Sequence, residues 1–208
     1  MNMPSGLKVF LMGAAALLVS ACSERAPSPA VASTNAALPR ELPVPALRDE
    51  PGAGGAGSPR GLYILGARYA DGIGVARDPA RAADLWRRAA ELGDADAQTS
   101  LGWIYTLGEG VPRDPLKAAD WYRRAAVQGH AAGQLYLGVK LRDGEGLARD
   151  PVLAYAWLSL AAGGTGPAST IRLAIRLRDS LAHELSAAQL SEAERLATAW
   201  RQGDFLAR

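Results

Sequence analysis

The 208-residue chain holds one cysteine, two histidines and two phenylalanines. A single cysteine excludes an intramolecular disulfide and leaves no thiolate cluster for zinc. With only His130 and His183 available, and no His-Glu-x-x-His element or cysteine pair in the chain, there is little from which to build a catalytic base or a metal centre. No cofactor and no metal is expected, and no enzymatic activity. Neither sign of charge dominates: 23 Lys and Arg stand against 21 Asp and Glu, interspersed and without a polybasic run. The electrostatic footprint of a nucleic-acid-binding protein is missing. Long apolar runs are scarce too. The one from Val9 to Val19 falls short of the roughly 20 residues that span a bilayer.

That short run is informative by its flanks. Lys8 precedes it and Val19-Ser20-Ala21-Cys22 ends it, the layout of a secretory signal with small residues before a cleavage point. A cysteine directly after them resembles the lipobox of bacterial lipoproteins. The resemblance implies that residues 1–22 are a signal peptide, that Cys22 is lipidated as the first residue of the mature chain, and that the protein is anchored to a cell-envelope membrane facing the periplasm. Ser23 in place of an Asp resembles lipoproteins sent to the outer membrane. The alternative is an ordinary signal peptide with an incidental cysteine.

Residues 23–59 are rich in Ala, Pro, Gly and Ser, with seven prolines and the run Pro51-Gly52-Ala53-Gly54-Gly55-Ala56-Gly57-Ser58-Pro59. Such a composition cannot offset the entropy of ordering, so a disordered tether is expected, spanning about 35 Å as a coil.

Beyond residue 60 the chain repeats with a period of 36. Leu65-Gly66 recurs as Leu101-Gly102 and Leu137-Gly138, and Gly72/Gly74 recurs as Gly108/Gly110 and Gly144/Gly146. Arg77-Asp78-Pro79 recurs as Arg113-Asp114-Pro115 and Arg149-Asp150-Pro151, and Ala89-Ala90 as Ala125-Ala126 and Ala161-Ala162. Four landmarks in one register are the signature of a repeat architecture.

Each repeat reads as two helices. Leu62, Leu65, Gly66, Tyr69 and Ala70 make one apolar stripe, and Ala82, Leu85, Trp86, Ala89 and Ala90 make another. Asp78, Asp114 and Asp150 are placed as N-caps, each followed by Pro at the first helical position. Gly93 and Gly129 suit a left-handed helix stop. A mid-helix glycine costs about 1 kcal/mol relative to Ala, so Gly66, Gly102 and Gly138 are expected to admit a bulky neighbour, in the region of Trp86, Trp121 and Trp157. The Gly-x-Gly pairs lack the preceding strand that a phosphate-binding loop requires.

The combination Leu-Gly-x-x-Tyr-x-x-Gly-x-Gly-Val-x-x-Asp-x-x-x-Ala, then an aromatic pair and Ala-Ala, resembles the Sel-one-like repeat (SLR) family, relatives of the tetratricopeptide repeat. The second copy carries it most fully, in Leu101-Gly102, Tyr105, Gly108-Glu109-Gly110-Val111, Asp114, Ala118, Trp121-Tyr122 and Ala125-Ala126. The resemblance implies an all-α fold, a right-handed α-solenoid of three 36-residue helix-turn-helix repeats over residues 60–166 (about 61–97, 98–133 and 134–166). Past Gly166 the period stops. Leu173, Leu177, Leu181 and Leu185 form a stripe, and Ser186-Ala187-Ala188-Gln189 is a capping box, so residues 167–208 are expected to form a helical hairpin that caps the stack.

By resemblance, the chain is an adaptor that binds a protein or peptide partner. The two residues after each Leu-Gly are expected to face away from the second helix, which makes Arg68, Trp103, Ile104 and Lys140 candidate partner-binding residues. Trp103 flanked by cations has the makeup of an interface anchor; packing between adjacent repeats is the competing role for its ring. Binding of peptidoglycan or another anionic envelope polymer is the alternative function, with Arg87-Arg88 and Arg123-Arg124 as a basic strip. His130 is expected to be a solvated turn residue, and His183-Glu184 a surface pair.

Overall fold

The repeat register is first a register of helix caps. Ser58, Asp94 and His130, spaced by 36, each accept the backbone N–H three residues on, from Gly61, Ala97 and Gly133. They open α1 (Pro59–Asp71), α3 (Ala95–Leu107) and α5 (Ala131–Asp143). Asp78, Asp114 and Asp150 do the same for α2 (Pro79–Glu91), α4 (Pro115–Val127) and α6 (Pro151–Gly163), each with Pro inside the first turn. Gly72, Gly108 and Gly144 end the first helices in the left-handed conformation, with φ near 75°, where a residue with a Cβ is strained. Two further helices, α7 (Ala168–Ala182) and α8 (Ala187–Arg201), complete the chain order. The structure, a computed structural model, describes residues 55 and 57–203. Cys22, the expected signal segment, nearly all of the expected tether and the last five residues lie outside the described residues.

The described residues form an α-solenoid, with no strand among them. Within a repeat, the two helices touch through a slot and a knob. A Cβ on Gly66 would lie 2.6 Å from the Trp86 ring, one on Gly102 2.6 Å from the Tyr122 ring, and one on Gly138 2.9 Å from Leu158 Cγ. The knobs are therefore Trp86, Tyr122 and Leu158, a position one residue later than the expected Trp121 and Trp157. One residue is about 100° of helix rotation, enough to swing Trp121 to the flank, where Arg124 lies 4.5 Å over its ring, and Trp157 toward Trp200.

Between repeats, the contact is backbone on backbone. The second glycine of each Gly-x-Gly turn rests on the start of the preceding repeat's second helix. A Cβ on Gly110 would meet the Pro79 carbonyl at 2.4 Å, and one on Gly146 the Pro115 oxygen at 2.1 Å. The glycine pattern thus has a packing origin. Ion pairs staple the same seam: Arg77 to Glu109 at 3.3 Å, Arg113 to Glu145 at 3.7 Å, and Arg149 to Glu184 at 3.0 Å. All are half exposed, so each adds at most about 1 kcal/mol. Successive first helices, α3 with α5 and α5 with α7, approach more closely than α2, α4 and α6 do. The stack therefore curves with its first helices on the inner side.

At the C-terminal end the spacing persists after the sequence pattern has gone. Ser186 caps α8, with Gln189 closing the box, 36 residues after Asp150 caps α6. The packing, however, changes. Both α7 and α8 lie on α6, and they share little contact with each other, so the end is covered by two separate helices instead of a hairpin packed on itself. The reason is local: Ala174, fully buried, stands where the slot glycine would be, and Glu194 stands where the knob would be. Without slot and knob, α8 turns onto α6, where Trp200 stacks on Trp157 at 4.6 Å between ring centroids.

Gly74 supplies an internal control for the seam, since its φ of 73° matches the 77° of Gly146 but nothing lies within 4 Å of its Cβ position. Both Gly→Ala changes incur the left-handed cost of about 1–2 kcal/mol. In urea unfolding, Gly146→Ala is expected to lose at least a further 1–3 kcal/mol, roughly the cost of overpacking. Equal losses at the two sites would show that the seam is looser than its geometry.

Candidate functional site

The inner side of the stack is made by α1, α3 and α5, and its accessible residues recur at i, i+4, i+7 and i+11. On α3 these are Asp96, Ser100, Trp103 and Leu107; on α5, Ala132, Tyr136, Val139 and Asp143; on α1, Arg60, Ile64, Ala67 and Asp71. Trp103 is the dominant feature, with 45% of its surface exposed. Its ring meets Tyr136 of the next repeat at 5.6 Å, tilted by 45°, and Tyr136 in turn meets Tyr122 at 5.1 Å. Of the two roles weighed for it, Trp103 takes that of packing between repeats with one side of its ring, and the other side faces solvent. Burial raises the pKa of the Tyr122 and Tyr136 hydroxyls, which stay protonated.

The other three expected surface residues are placed differently. Arg68 is half-buried. Ile104 and Lys140 are both buried, each only 5% exposed, so neither faces away from the stack as expected. At about 100° per residue, Trp103 points out but the next position returns to the stripe of Ala97 and Leu101. Lys140 holds the same position one repeat later. It reaches out of the interior along its apolar stem, and its Nζ donates to Glu145 Oε2 at 2.8 Å. It is a structural cation, and Arg68 holds the same repeat position on α1.

At the helix-start end of the same face lies a polar cluster that the turn-residue reading of His130 missed. His130 Nδ1 accepts the Gly133 N–H at 3.3 Å as the cap of α5, and Thr99 Oγ1 lies 2.9 Å from the same nitrogen. The cap leaves the ring proton on Nε2, which donates to Asp96 Oδ1 at 3.1 Å. Arg60 of α1 pairs with the other oxygen of Asp96. Register alone carried the missing signal, since His130 sits 36 residues after the cap Asp94. The expected basic strip is partly neutralised within its own helices: Arg87 pairs with Asp84 at 2.6 Å and Arg124 with Asp120 at 3.0 Å. His183 is an exposed residue at the end of α7, and Glu184 is taken up by Arg149.

These arrangements hold and orient side chains. The Thr99 hydroxyl is buried and donates back to the Ala95 carbonyl at 2.9 Å, which ties it to its helix and leaves it no access to a substrate. Among the described residues, no three His, Cys, Asp or Glu side chains converge as a metal set would.

The hydrogen bond from His130, followed by that from Arg60, holds the Asp96 carboxyl below the ordinary carboxylate range. A folded pKa below the unfolded value stabilises the fold fully above the unfolded value, near 3.9, and that contribution fades as pH falls through the folded value. Asp96 is about two-fifths exposed, so screening keeps the effect to about 1 kcal/mol or less. Asp96→Asn is expected to lower the urea midpoint at pH 7 and to converge with the parent chain toward pH 2–3. A constant difference across that range would show that the carboxylate charge is not the source.

Comparison with known proteins agrees with this geometry. The family model described as Sel1 repeat matches residues 59–94, 95–130 and 131–163. No curated protein matches the chain. Among solved structures, the chain is similar to a protective antigen of uropathogenic Escherichia coli with an SLR fold, at 29% identity and a TM-score of 0.63, over 72% of this chain and 32% of that one. It is also similar to a Sel1 repeat protein from Oxalobacter formigenes, at 33% identity and a TM-score of 0.50, over 50% of this chain and 42% of that one. The chain therefore spans less than half the length of either. Sel1 repeats generally mediate protein–protein interaction and are typically non-catalytic scaffolds. With three matched units over half of its length, the chain belongs to the Sel1 repeat family.

Proposed function

We propose that this protein is a lipid-anchored adaptor of the bacterial cell envelope that grips a peptide segment of a partner protein on the inner face of its stack. The observation that carries the reading is Trp103: a large ring, 45% exposed, already braced against Tyr136 across a repeat boundary. A braced aromatic loses little freedom on binding, which is why such rings dominate interface energetics. Leu107 extends the apolar patch one turn along α3. Cys22 is the proposed lipidation site, with the Pro-rich stretch after it holding the stack away from the membrane surface. Binding of an anionic envelope polymer is the competing outcome. The pairing of Arg87 with Asp84 and of Arg124 with Asp120 weighs against it.

A photocrosslinking amino acid at position 103 or 107 of the full chain in its native cells is expected to trap a defined protein band that is absent when the crosslinker is at Leu116, on the outer helix α4. Crosslinks to glycan fragments, or the same bands from 103 and 116, would overturn the peptide-groove reading. The anchor is tested separately. Cys22→Ser is expected to abolish palmitate incorporation and to prevent membrane retention of the mature chain, and continued palmitate labelling would remove Cys22 as the lipid site.

A further inference from the structure

The inner face around Trp103 is an apolar patch. Trp103 and Leu107 are each close to half exposed, and Tyr136 and Val139 are half-buried beside them. Aromatic-lined surfaces of this kind take proline-rich segments in the polyproline II conformation, which presents apolar side chains and loses little entropy on docking. The chain carries such a segment itself. Residues 42–47 read Leu-Pro-Val-Pro-Ala-Leu, an uncharged run set between Arg40-Glu41 and Arg48-Asp49-Glu50.

The fold also brings the two within reach. The Arg60 guanidinium is seated on Asp96, so the chain enters the stack beside the first turn of α3. Trp103 lies seven residues further along that helix, about 10 Å by helix rise. The ten Cα–Cα steps from Leu47 to Gly57 allow a reach of about 33–36 Å at full extension and about 18 Å for a coil of that length.

We propose that residues 42–47 dock in cis on the Trp103 and Tyr136 face as a resident proline-rich ligand, which an outside partner must displace. This rests on the peptide-groove reading above and adds the identity of its first occupant. A tether of this length gives a local concentration on the order of 1 mM. If the segment binds in trans with a Kd of about 100 µM, the tethered copy occupies the face about nine-tenths of the time. A competing peptide is then weakened about tenfold.

The test uses the full-length lipoprotein in detergent, labelled with 5-fluorotryptophan, with the Trp103 resonance assigned by Trp103→Phe. It is compared with the triple variant Leu42→Glu, Val44→Glu, Leu47→Glu, whose changes lie outside the helical stack. The expected result is a shifted Trp103 fluorine signal in the triple variant. A synthetic peptide of residues 38–50 should bring the variant signal to the parental shift, and should move the parent signal, already about nine-tenths of the way there, by about a tenth of that difference. Identical Trp103 signals in the two chains, no response of the variant to millimolar peptide, or a response of the parent as large as that of the variant would overturn the proposal. So would a parent signal that moves on dilution, which would assign the segment to a second copy. The broader reading fails separately: in that case position 103 of the triple variant crosslinks no protein in cells.

Discussion

The stack depends on backbone touching backbone where a side chain would otherwise stand. Gly110 and Gly146 lie against the first residues of the preceding repeat's second helix, closer than any Cβ permits. Because α2 and α4 begin with Pro79 and Pro115 at that spot, the helix start is fixed in φ and needs no N–H there. The arginine before each Asp-Pro then reaches the glutamate between the two glycines of the next repeat, as Arg77 does Glu109 and Arg113 does Glu145. Helix cap, seam and ion pair share the same few residues, which is why the sequence landmarks move together in steps of 36.

Much of this was legible in the residues. Each Asp-Pro announced a capped helix, the Leu-Gly pairs announced a slot, and Ser186 with Gln189 announced the last helix start. What the period cannot convey is rotation about a helix axis. A slip of one residue separates Trp121 from Tyr122 as the knob, and Ile104 from Trp103 as the exposed side chain. Nor does a list of cations reveal that Lys140 threads its stem through the interior to reach Glu145. The turn onto α6 by the last helix was readable in principle, from Ala174 and Glu194 at the slot and knob positions. It required knowing which residue of each aromatic pair is the knob.

The candidate site follows from the same geometry. The curvature exposes the first helices on the inner side, and the accessible stripe of α3 carries the only tryptophan among the large exposed apolar side chains of the described residues. The Asp96 cluster at the start of that stripe joins Arg60 of α1 to His130 at the start of α5 across α3. It sets three consecutive first helices in one arrangement without a nucleophile or a metal set, which suits a surface that presents side chains in a fixed order.

The buried apolar side chains fall into two clusters, one spanning α1 to α3 and the other α4 to α8, with Tyr105 packed against both. The division runs through the middle repeat, between α3 and α4, which the Gly102 slot and the Tyr122 knob still join. Trp103 belongs to the helix that closes the first cluster, and its neighbour Tyr136 is packed on the second. A peptide seated on both rings would therefore bridge the two clusters at the one repeat where they meet.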